Sequence, residues 1–161
     1  MMAVLALAIL GGTSSWATAG NEVIPVGKKA DALFFLHTFQ GKTEWNSHDQ
    51  PQRPTLFKYV VHYADGQTAE VPVLQGFGVG NWFDKEPKSL SQAAVVWSAP
   101  FPNAKTAGEQ AVVYQFQWNN PRPDVVIQSI DMAYDAKDKN EFGGAAVLAI
   151  TAARTLPAHG L

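Results

Sequence analysis

Two tryptophans stand in polar surroundings that could do binding chemistry: Trp45, with Asn46 and His48 close by, and Trp82, flanked by Asn81 and Asp84. Sugar recognition uses this pairing, a flat apolar ring for the C–H side of a pyranose and fixed polar groups for its hydroxyls. His37, at the end of the apolar run Ala32–Leu33–Phe34–Phe35–Leu36, adds a ring nitrogen that the same rim could present to a ligand. Trp45, Trp82, His37, Asn81 and Asp84 are therefore the candidate ligand-binding set. Each has a plainer alternative. A loop tryptophan can simply cap the end of a core, and a histidine in an apolar strand is more commonly buried and bonded to backbone. Trp97 and Trp118 lie in strand-like runs, at positions whose alternation predicts the core for both.

Complete catalytic signatures are missing from the sequence. It contains no Gly-x-Ser-x-Gly elbow, no Walker loop and no His-Glu-x-x-His. Gly76-x-Gly78-x-Gly80 looks like a phosphate loop, but Trp82–Phe83 follow where a helix should open, so it reads as a flexible turn. Glu70, Asp84, Glu86, Asp124 and Asp131 offer many carboxylate pairs for glycoside hydrolysis and single out none. No two of His37, His48, His62 and His159 have ligand spacing, and His62 reads as a solvated or cross-strand residue. No cofactor is expected. The one ion that the residues admit is a structural Ca²⁺ on Asp65, Asp124 or Asp131, although Asp65 is better explained as a turn former and Asp124 as the residue after a proline turn.

The elements that must position these residues are strands. With 161 residues, 47% hydrophobic and 16% charged, the chain has the makeup of one folded domain, here taken as residues 1–161. A formal net charge of -2 and scattered Lys and Arg give no field for nucleic acid. No cysteine is present, which removes disulfides, thiolate nucleophiles and Cys-based zinc sites. Phe57, Tyr59, Val61 and Tyr63 share one face of the clearest strand, and Asp65–Gly66 supplies the turn to a partner at Thr68–Leu74, where Pro72 implies an edge or a bulge. Further strands are expected at 23–26, 32–38, 93–97, 111–118, 125–132 and 145–151, with a long polar loop over 40–54 and a second loop reaching Ser91. Eight or nine strands and no convincing helix predict an all-β, antiparallel β-sandwich of jelly-roll type. Ala3–Leu10 reads as a strand entering a turn more readily than as a signal peptide, because no Lys or Arg precedes Lys28; the run is too short to span a bilayer. The tail over 154–161 is expected to be loose.

Three strings carry a resemblance: 29–38 (KADALFFLHT), 59–66 (YVVHYADG) and 118–124 (WNNPRPD). In this order they resemble β-sandwich accessory domains of large secreted bacterial proteins, often found beside glycoside hydrolase domains and similar to galactose-binding-type carbohydrate-binding modules. The resemblance covers about residues 22–153. It implies a sandwich fold, a secreted or extracytoplasmic setting, and a polysaccharide or oligosaccharide partner, with a catalytic domain of the same parent protein as a second partner and neither nucleic acid nor membrane. Three functions follow in order of preference: a non-catalytic carbohydrate-binding module, a structural domain packed on a catalytic neighbour, and a small glycan-active hydrolase or lyase.

Overall fold

The computed structural model describes residues 3–5, 23–41, 52–100, 107–134 and 143–154. Ten strands occur among them: β1 (Ala3–Leu5), β2 (Ile24–Lys28), β3 (Ala32–Gly41), β4 (Thr55–Tyr63), β5 (Thr68–Leu74), β6 (Phe83–Asp84), β7 (Ala93–Pro100), β8 (Gln110–Asn119), β9 (Ile127–Ala133) and β10 (Gly143–Ala153). The count exceeds expectation because β6 is a two-residue strand inside the stretch read as loop, too short for alternation to reveal. β1 covers the first three residues of the Ala3–Leu10 run and pairs with the end of β10; the rest of that run, like the tail after Arg154 and residues 42–51 around Trp45, lies outside the described residues.

The strands form two antiparallel sheets packed as a β-sandwich. One runs β1-β10-β3-β8-β6, with β7 also on β8, and the other runs β2-β9-β4-β5. Alternation decides which side chains meet between them. Leu33, Phe35, His37 and Phe39 of β3 face inward against Phe57, Tyr59, Val61 and Tyr63 of β4, and Val112, Tyr114 and Phe116 join from β8. Phe35 and Tyr59 stack across the sheets with ring centroids 4.0 Å apart. Pro72 sits in β5, an edge strand, as its missing N–H requires.

Trp97 departs from its predicted core position. β7 slips register between Val95, opposite Tyr114, and Trp97, opposite Val113. The extra residue reverses the alternation, so Trp97 is 52% exposed and Val96 46%. Trp118 packs partly buried against the core.

The two ends of the sandwich differ. At the β3 start, Asn120 is a buried hub. Its Nδ2 donates to Ala30 O (2.7 Å) and Arg122 O (3.1 Å), and its Oδ1 accepts from the Tyr63 hydroxyl (2.6 Å) and Arg122 N (3.0 Å). Arg122 lies over the Tyr63 ring and pairs with Asp65, which holds that carboxyl below its ordinary pKa. Arg154 pairs with Asp124 (3.0 Å). The opposite end carries the 75–91 connection.

Candidate functional site

The 75–82 segment, read from sequence as a flexible turn, is pinned to the core. Phe77 N and Gly78 N both donate to Leu74 O, Gln75 bridges Val79, Asn81 bridges Phe39, and Trp82 N donates to Phe39 O (2.8 Å). The glycines are there for close approach. A Cβ on Gly80 would lie 2.3 Å from the Tyr114 hydroxyl oxygen, and one on Gly78 3.2 Å from a Val73 methyl. Only Gly76 of the three uses a positive φ, at 57°.

This pinned segment and the stretch after it form an open cleft of about 610 Å³. Asn81 and Asp84 line it together with Arg53, Lys85, Glu86 and Tyr114. Asn81 Oδ1 accepts from Trp82 N (2.9 Å), which fixes the side chain, and Asp84 Oδ1 accepts from Glu86 N (2.9 Å) in an Asx turn. Arg53 reaches the same segment by donating to Gln75 O (2.9 Å) and Gly76 O (3.2 Å), with its guanidinium over the Phe77 ring. Tyr114 is at the back, almost wholly buried. Burial, and then the charge of Asp84, push its phenol above the ordinary pKa, so it stays a neutral hydroxyl.

Of the predicted set, the structure brings Asn81 and Asp84 together. Trp82 is half-buried, edge-on to Phe83 (5.1 Å), and does not line the cleft. Trp45 lies outside the described residues. His37 is not at the rim: it is fully buried between the sheets. Gly78 O can only accept, so Nε2 carries the proton and donates to it (2.9 Å), while Nδ1 accepts from the Tyr59 hydroxyl (2.8 Å). Phe116 stacks on the ring and Phe57 meets it edge-on. Burial lowers the His37 pKa to about 4.

Sequence reasoning missed Arg53, Tyr114 and Lys85. Arg53 lies in a loop remote in sequence, and Tyr114 alternates as an ordinary core residue, so neither carries a local signal. Elsewhere, Asp131 accepts from His62 Nε2 (3.0 Å) and Glu70 pairs with Lys58 (2.6 Å) on the outer face of the smaller sheet. Asp65, Asp124 and Asp131, considered for Ca²⁺, thus each face a different partner, and no cluster of three His, Asp or Glu suited to a metal occurs among the described residues.

The chain matches no family model and no curated protein.

Proposed function

We propose that this chain is a non-catalytic carbohydrate-binding module that takes a polysaccharide or oligosaccharide end in the cleft of the 75–91 connection. The observation that carries the reading is the convergence of Asn81 and Asp84 with Arg53, Glu86 and Tyr114 on one open cleft of about 610 Å³. Sugar hydroxyls both donate and accept, and these side chains offer donors and acceptors on a backbone already held in place. The volume falls within the range of small-ligand sites. The setting that goes with this reading is a secreted or extracytoplasmic bacterial protein with a catalytic domain nearby. A hydrolase or lyase has less support, because the strongly shifted histidine, His37, is buried away from the cleft lining.

Titration calorimetry and affinity gels against a panel of plant and algal polysaccharides test the proposal. One or more members should bind, and Asn81→Ala and Asp84→Ala should each weaken binding about tenfold, the effect of one or two lost hydrogen bonds. No binding to any member sinks it.

A second reading rests on Val96 and Trp97, exposed side by side on the edge strand β7. An apolar pair of this kind favours a structural domain packed on a catalytic neighbour. Under that reading Trp97→Ala, and not Asp84→Ala, impairs the function of the parent protein.

A further inference from the structure

His37 stands behind the cleft wall. Its Nε2–H holds the carbonyl of Gly78, midway between Gly76 and Gly80, both of which line the cleft. Its register partner on β8 is Tyr114, whose ring lies against Gly80. Two adjacent core side chains from neighbouring strands therefore grip the same three-residue span, and Asn81 is the next residue along.

The geometry points to His37 as the positioning residue of the cleft: its neutral ring holds the Gly76–Trp82 segment in the shape that aims Asn81, and acid releases that segment. This regulation rests on the cleft being the ligand site. Around the ring, β4 contributes the Tyr59 hydroxyl, β8 contributes Tyr114, β10 contributes Val147 as register partner, and 75–82 contains no titratable side chain. No carboxylate among these groups would balance an imidazolium, which is why burial depresses its pKa. Three of the four surrounding elements are strands paired along their length. The fourth is the 75–82 segment, which belongs to no sheet along its length and is held by isolated bridges, a few backbone bonds, the two Arg53 hydrogen bonds and the buried Val79. A protonated ring reaches water at least cost by displacing that segment, so local opening precedes loss of the sandwich.

Amide exchange on the full chain, followed by NMR and corrected for intrinsic rates, tests this without any ligand. Gly78 and Trp82 amides, which donate to Leu74 O and Phe39 O, are the reporters. Between pH 7 and pH 5 their protection should fall about tenfold in the wild type, and at each pH it should lie well below that of the β4 and β9 amides, which exchange only when the sandwich unfolds. In His37→Gln, whose amide replaces the Nε2 donor and takes no proton, protection should stay high and flat. In His37→Leu it should be low at both pH values. Protection at Gly78 and Trp82 that does not change with pH in the wild type, or that falls equally in His37→Gln, overturns the proposal; the wild-type arm decides alone if a variant does not fold. Failure of the glycan panel, by contrast, removes the ligand from the cleft and leaves these exchange results standing.

Discussion

His37 shows how one buried group ties stability to acidity. Its folded pKa, about 4, lies below the ordinary 6.5, so the folded state prefers the neutral ring. The stability from burying that neutral ring is complete above pH 6.5 and is lost as pH falls from 6.5 through 4, by about 3 kcal/mol at pH 4. Urea unfolding at pH 7 and pH 4.5 should show this loss in the wild type and a smaller one in His37→Gln, the carboxylates contributing equally to both. Gly80 is a second residue whose role is spatial. Gly80→Ala drives a methyl into the Tyr114 ring and should cost roughly 1–3 kcal/mol of stability, the usual range for overpacking, measured as a lowered urea midpoint.

β7 is the element that broke the simplest rule of strand reading. Its bulge between Val95 and Trp97 turns a large ring outward, where about half of it stays in solvent. Trp97→Ala should therefore cost on the order of 1 kcal/mol of unfolding free energy, less than a core tryptophan because half of the ring is already in water. Trp118, which packs on the core, should cost several times more when replaced by Ala, and the two variants compared by thermal melts check the bulge directly. The 119–124 turn is an element of the opposite kind, rich in polar bonds. Asn120→Ala leaves Ala30 O and the Tyr63 hydroxyl without their partner and should cost roughly 2–3 kcal/mol, since these are buried groups.

For the molecule as a whole, register puts Asp31, Tyr63 and Asn120 at one end of the sandwich and Phe39, Asn81 and Asp84 at the other. Phe39 lies eight positions beyond Asp31, most of the length of β3, about 25–30 Å along an extended strand. Substitutions so far apart and without shared partners should add independently. Asn120→Ala should lower stability and leave glycan affinity in the cleft unchanged, Asn81→Ala should do the reverse, and the double variant should show both effects, read by calorimetry and denaturation on the same samples. The strings behind the family resemblance fall mainly in the core and at the Asn120 end. They carry the fold because they lock strand ends together, and for the same reason they say little about what the other end holds.

The strand set and the antiparallel sandwich were legible in the sequence, because alternation with period two and turn chemistry at Asp65–Gly66 and Asn119–Pro123 are local properties. Asn81 and Asp84 were legible as polar residues around a loop tryptophan. Three things were decided only by the tertiary structure. A one-residue bulge reversed Trp97, which no alternation count can foresee. The partners of His37 come from 22 and 41 residues away in sequence, and they made it a buried support instead of a rim ligand. Arg53 and Tyr114 joined the cleft through contacts between distant strands and loops. Periodicity reports which face a side chain takes within its own strand; which groups it meets there depends on the pairing of the whole chain.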